Sequence, residues 1–190
     1  SAGNGNVYVS GYSKGSWGEP IRGYSSLEDG FTAKLNAATG ALIWNTFLGG
    51  SEEDRSWGVD VDVSGNVYVT GNSRADWGGP QRAYTGDSDG FAAKLDSSGA
   101  LIWNTFLGGS GTDDGYAITV DEGGNAHIAG KSTANWGSPQ RAYSGVEDGF
   151  AAKLDPSGGL TWNTFLGGTG DDRGYGIALD GTGNIYVAGS

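Results

Sequence analysis

The sequence predicts an all-β chain of β-propeller blades, each a sheet of four antiparallel strands, and three observations lead there. First, Gly5-Asn6-Val7-Tyr8-Val9 recurs in closely similar form at Gly65, Gly124 and Gly183, at spacings of 60, 59 and 59 residues. Trp-Asn-Thr-Phe-Leu-Gly-Gly likewise begins at Trp44, Trp103 and Trp162. A fixed period of this size marks a repeat architecture. Second, each unit divides into four short stretches rich in aromatic and β-branched residues, with no 3.6-residue apolar period between them. Third, one strand per unit is apolar on both faces: Leu101, Trp103 and Leu107 point one way, Ile102 and Phe106 the other. A strand covered on both faces belongs to a sheet packed between two others, as in radially repeated blades. A stacked β-solenoid is the alternative, but its coils are shorter than ~40–60 residues with four strands.

Taken in order, the chain opens with a lone strand at 5–11 that has no earlier strands of its own. Three full blades follow, approximately 29–71, 89–130 and 148–189, in a single array over 1–190. In the middle copy the strands are 90–95, 100–107, 116–120 and 125–129. Asp96-Ser97-Ser98-Gly99 and Asp121-Glu122-Gly123-Gly124 make the tight turns, since Asp caps the backbone and Gly accepts positive φ. These turns share one end of the blade, and the longer connections share the other. Because it lacks a sheet of its own, the strand at 6–10 is expected to pair outside its repeat.

Composition sets limits. Leu, Ile, Val and Phe together fall just under the ~20% mark that flags disorder. The 7 Trp and 9 Tyr restore a core, since each buried aromatic removes ~150–250 Å² from water. No apolar run approaches a membrane span, no signal peptide is read, and Ser1 suits a processed or engineered start. With no Cys there is no disulfide, thiolate nucleophile or Cys–zinc site. A formal net charge of −11 argues against a nucleic-acid partner.

Val-Tyr-Val-Thr-Gly at 67–71, Asp-Gly-Phe-Ala-Ala-Lys-Leu at 89–95 and Trp-Asn-Thr-Phe-Leu-Gly-Gly at 103–109 resemble the bacterial SBBP β-propeller repeat, and the resemblance runs over essentially the whole chain. It implies an extracellular or cell-surface protein with a scaffold or binding role and no shared catalytic activity. The partners it implies are the rest of a longer array or other copies of the chain, since propellers close with ~4–8 blades.

Two loop families are candidate sites. The long connection repeats Trp17, Arg22 and Tyr24 as Trp77, Arg82 and Tyr84 and as Trp136, Arg141 and Tyr143. Loops on a rigid scaffold carry binding residues, and Trp, Arg and Tyr suit a glycan or a protein hot spot. The competing reading is that the aromatics pin the loop to the blade with Arg stacked on them. The shorter loops are acidic. Asp54, Asp113, Asp114, Asp171 and Asp172, with Asp87 and Asp89 from the adjacent long loop, offer oxygen ligands for calcium; loop capping is the alternative use. No cofactor is required. Lys34, Lys94 and Lys153 are expected to pair with carboxylates, and His127 fills a strand position that is Tyr in the other copies. No copy carries a catalytic cluster the others lack, so the chain is read as a non-enzyme. The functional readings are a binding or scaffold module, a self-assembling filament or sheath subunit, and a polysaccharide hydrolase or lyase.

Overall fold

The computed structural model describes residues 5–190, and among them it contains strands and no helix. The strands are β1 (Asn6–Ser13), β2 (Asp29–Asn36), β3 (Leu42–Leu48), β4 (Asp54–Val61), β5 (Val67–Ser73), β6 (Asp89–Leu95), β7 (Leu101–Leu107), β8 (Asp113–Val120), β9 (Ala126–Ser132), β10 (Asp148–Leu154), β11 (Leu160–Leu166), β12 (Gly174–Leu179) and β13 (Ile185–Gly189). They form antiparallel sheets in the orders β1-β2-β3, β4-β5-β6-β7, β8-β9-β10-β11 and β12-β13.

This grouping corrects the expected blade boundaries. The strand at 5–11 is no orphan: β1 pairs with β2 of its own chain along its whole length, from Asn6 opposite Asn36 to Ser13 opposite Asp29. The blades are 54–107 and 113–166, flanked by a sheet of three strands and a sheet of two. The reason lies in the loops. The long connection was expected to carry the chain from blade to blade; instead it folds back within one sheet, so β5 pairs with β6. The short glycine-rich loop at 108–112, just before Asp113 and Asp114, makes the crossing. Both Asp-x-x-Gly turns stay at the opposite end, with Gly65 at φ 84° and Gly99 at φ 90°, angles that a residue with a Cβ adopts only under strain.

The arrangement is radial. The first strand of each sheet, β4, β8 and β12, packs on the first strand of the next. These strands line the axis, and β3, β7 and β11 lie at the periphery. Between sheets, the repeated Trp of the outer strand reaches across: Trp44 Nε1 donates to the Ser97 carbonyl at 3.2 Å, and Trp103 Nε1 to Pro156 at 3.0 Å. Gly99 and Gly158 accommodate these rings, since a Cβ at either would lie within 3 Å of the indole. The effect of sandwiching is direct. Val67 and Val69 on β5 are fully buried between two sheets, while the equivalent Val7 and Val9 on β1 are 40% and 38% exposed. Among the described residues no helix is long and apolar enough to cross a membrane.

Candidate functional site

The long-loop residues hold the scaffold together. Trp77 and Trp136 are buried and Trp17 half-buried. Each indole meets the central phenylalanines of its sheet edge-on: Trp77 sits 5.3 Å from Phe91 and 6.2 Å from Phe106. The carbonyl of Trp77 accepts the Asn104 side-chain amide at 2.7 Å, and Trp17 and Trp136 repeat this with Asn45 and Asn163. Arg82 donates to the carbonyls of Phe106 (2.9 Å) and Gly108 (2.6 Å). Arg22 and Arg141 serve Phe47 with Gly49 and Phe165 with Gly167 in the same way. Arg22 also lies over Trp77 and Arg82 over Trp136 of the following sheet. Tyr24, Tyr84 and Tyr143 pack edge-on against Phe47, Phe106 and Phe165. These nine residues therefore make internal contacts, three of the same kind in each sheet.

The acidic residues divide. Asp54 and Asp113 are buried at the start of the axial strands and accept the backbone N–H of Gly50 and Gly109. Burial pushes each carboxyl up to about 7, and the neighbouring Asp29 or Asp89 adds to the shift. Asp89 is buried beside Asp113, and its carboxyl is also raised by burial. Asp172 accepts the Gly168 N–H at 2.8 Å. Asp29 and Asp148, absent from the sequence-based set, occupy the Asp89 position in the other sheets. Asp114 turns instead to Lys131 (3.5 Å) and Tyr116, and Asp87 and Asp171 are exposed. No cluster of three or more His, Cys, Asp or Glu suited to a metal occurs among the described residues.

The lysines split similarly. Lys153 lies 3.7 Å from Asp121, as expected, but Lys34 and Lys94 sit over the rings of Tyr8 and Tyr68. Where His127 replaces that tyrosine the ring is buried, its Nε2 is 3.3 Å from Asp121, and burial holds its pKa low.

A second surface, not legible as a motif, lies on the axial strands toward the long-loop end. Each carries a register shift: between Ser56 and Gly58, Gly115 and Ala117, and Gly174 and Gly176. The extra residue is Trp57, Tyr116 or Tyr175. A bulge re-aims the side chain it carries, and Trp57 is 43% and Tyr175 52% exposed. Trp57 meets Tyr12 edge-on at 6.0 Å, and Tyr116 stacks on Tyr175 at 5.5 Å. Arg55 lies over the Tyr12 ring and donates to Glu28 at 2.6 Å, and Lys14 reaches the same carboxylate at 3.0 Å. The Arg55 hydrogen bond holds the Glu28 carboxyl below its usual range. On the last junction, after β11, Glu147 bridges Lys131 (2.7 Å) and Arg173. The sequence signal was an aromatic three residues after Asp54, Asp113 and Asp172. It is a position where the copies differ, Trp in one and Tyr in two, as its neighbours do: Arg55 and Asp114 on the same strands and Arg173 just before β12, Tyr12, Asn72 and Lys131 on the strands alongside.

Residues 102–135 and 161–190 match the model of the SBBP β-propeller repeat. Each stretch runs from the outer strand of one sheet through the first two strands of the next, the same span in both copies. Over 110 residues the chain is 27% identical to a protein named "Regulatory protein FlaEY" from Caulobacter vibrioides. That match covers 55% of this chain and 12% of the relative's length.

Proposed function

We propose that this chain, a β-propeller repeat protein of the SBBP type, is a non-catalytic scaffold outside the cell or on its surface that binds a protein partner through the axial rim. The observation that carries the reading is the aromatic set of the exposed Tyr12, Trp57 and Tyr175 with the half-buried Tyr116, flanked by Arg55 and Arg173 in ion pairs. Trp, Tyr and Arg are the residues that dominate binding energy when clustered inside a polar rim. The nine long-loop residues, candidates for a glycan or protein site, are engaged in contacts within the scaffold, which favours the rim as the proposed surface. A module with matching sheets suits binding better than catalysis, because no sheet holds a group of acid, base and nucleophile that the others lack.

The test is binding by the immobilised chain to secreted and surface proteins of the producing organism, compared with a glycan array. Protein capture that is lost on Trp57→Ala and Tyr175→Ala, with the melting temperature unchanged, supports the reading. Equal capture by these variants, or glycan hits alone, overturns it.

The bare faces of the terminal sheets support a second reading, packing against further blades from a longer array or another copy. An apolar hollow of about 350 Å³ between Trp162, Leu166, Ile185 and Val187 accompanies the exposed Val7 and Val9. Bare apolar surface of this kind marks interaction sites. Light scattering that finds a monomer at all concentrations removes assembly between copies.

A further inference from the structure

We propose that the junctions after β7 and after β11 each hold a hard divalent cation of the calcium class, bound by Asp89, Asp113 and the carbonyls of Gly109 and Gly111 in one, and by Asp148, Asp172 and the carbonyls of Gly168 and Gly170 in the other. The starting point is a buried oxygen with no partner. Asp89 is fully buried; its Oδ2 accepts from Thr85 N (2.9 Å) and Thr85 Oγ1 (3.1 Å), while its Oδ1 accepts nothing. Asp148 repeats this: Oδ2 accepts from Ser144 N and Oγ, and Oδ1 is unpartnered. An unsatisfied buried carboxylate oxygen is costly, and its recurrence in two junctions shows a built feature.

What that oxygen faces is more oxygen. A methyl carbon built on Gly86 would lie within 3 Å of Asp89 Oδ1 and the carbonyl oxygens of Gly109 and Gly111. One built on Gly145 would lie 2.6 Å from Asp148 Oδ1, 2.6 Å from the Gly168 oxygen and 2.9 Å from the Gly170 oxygen. The second carboxylate joins from the other side: a methyl carbon on Gly108 would lie 2.6 Å from both Asp89 Oδ1 and Asp113 Oδ2. Two carboxylates and two carbonyls thus converge from three segments. Arg82 and Arg141 donate to carbonyls beside these sites and offset one of the two negative charges in each. Converging hard oxygens with residual negative charge are what calcium takes as ligands.

The first junction is an internal control. There Ser26 stands in place of Gly86 and Glu52 in place of Gly111. The Ser26 hydroxyl donates to the Ser51 carbonyl at 2.8 Å, and Asp29 Oδ1 accepts from Ser25 Oγ at 2.9 Å. Here Asp29 has partners for both oxygens through Ser25, and the bare carboxylate oxygen of this junction is Asp54 Oδ1; where glycines leave the cradle open, the bare oxygen is the one that faces it.

The test uses the full chain, stripped with EDTA, dialysed at pH 8 and titrated with calcium chloride by calorimetry, with melting curves alongside. The expected result is two ions per chain, with affinity on the order of 10⁻⁴–10⁻³ M as in extracellular modules, and a melting temperature several degrees higher in calcium. Gly86→Ser copies the first junction and should lower the stoichiometry from two to one; Asp148→Asn should do the same at the other site. If either variant fails to fold, the other carries the measurement. No saturable binding, a melting temperature indifferent to calcium, or an unchanged stoichiometry in a folded variant overturns the proposal.

Discussion

Trp77 and Trp57 belong to the same blade, one on its long connection and one on its axial strand, and have opposite lives. Trp77 is 5% exposed, has counterparts at Trp17 and Trp136, and packs against Phe91 and Phe106. Trp57 is 43% exposed, has tyrosines as counterparts, and sits on a bulge at the axis. The difference teaches how to read a repeat. A residue present in every copy serves what every copy must do, which is to close its sheet and seat the next. A position where copies differ is released from that duty and free to meet something else.

The largest expected effect tests this directly. Trp77→Ala deletes a buried indole and leaves a cavity, and should cost about 3–5 kcal/mol in urea unfolding. Trp57→Ala should cost less than about 1 kcal/mol, because a half-exposed ring gives up little burial. Similar losses in the two variants would break the comparison.

The buried carboxylates give the next effect. Asp54 has its carboxyl raised to about 7 by burial, reinforced by Asp29. The folded state therefore holds the proton more tightly than the unfolded chain does. Stability from this group is complete below the unfolded value, near 3.8, and is lost as pH rises toward about 7. Asp54→Asn carries no charge to desolvate and can still accept the Gly50 N–H. Relative to the native chain it should gain about 2 kcal/mol between pH 5 and pH 8. A constant difference across that range would show that the pocket is better solvated than its burial implies.

How much of this was legible in the sequence follows the same division. The strands, the Asp-x-x-Gly hairpins and the double-faced burial could be read because they rest on local alternation and turn chemistry. The pairing of β1 with β2 could not. Loop length suggested that the fifteen-residue stretch between Ser13 and Asp29 crosses between blades, and nothing local says that Trp17 and Arg22 bend it back over Phe31 and Phe47. The rim was missed for a related reason. Trp57 is conspicuous only once a register shift turns it toward solvent, and a bulge depends on the partner strand. The two-carboxylate junctions were half legible: Asp89 and Asp113 both stood in the candidate set, but their equivalents Asp29 and Asp148 did not, because the meeting of the two carboxylates comes from the contact between adjacent sheets, which no local pattern records.

A smaller effect separates geometry from charge in the long loop. Arg82 bridges two carbonyls with its planar fork. Lysine keeps the charge and cannot span both. Arg82→Lys should cost about 1–2 kcal/mol, the loss of one hydrogen bond from a charged donor. Arg74→Lys, at an exposed arginine 3.9 Å from Glu53, should change stability by less than about 0.5 kcal/mol. Equal effects would mean that Arg82 acts through its charge alone.

The smallest effect concerns a departure from the repeat that lies inside the blade. His127 stands where Tyr8, Tyr68 and Tyr186 stand in the other copies. If difference alone marked function, this histidine would be a candidate; its burial says otherwise. The ring is 2% exposed, its Nδ1 has no hydrogen-bond partner, and its Nε2 faces Asp121. Tyr68 shows what the position accommodates: the ring is fully buried under Lys94, and its hydroxyl lies 3.4 Å from Asp62. Restoring the repeat with His127→Tyr should remove the unpartnered nitrogen and let Lys153 lie over a ring as Lys94 does. The expected result is a chain as stable as the native one or up to about 1 kcal/mol more stable, with binding at the rim unchanged. A loss of stability above about 1 kcal/mol would show that the 113–166 blade has repacked around the smaller ring. A loss of binding at unchanged stability would mean that departure from the repeat marks function even in the interior, and that exposure is not the second condition it is taken to be.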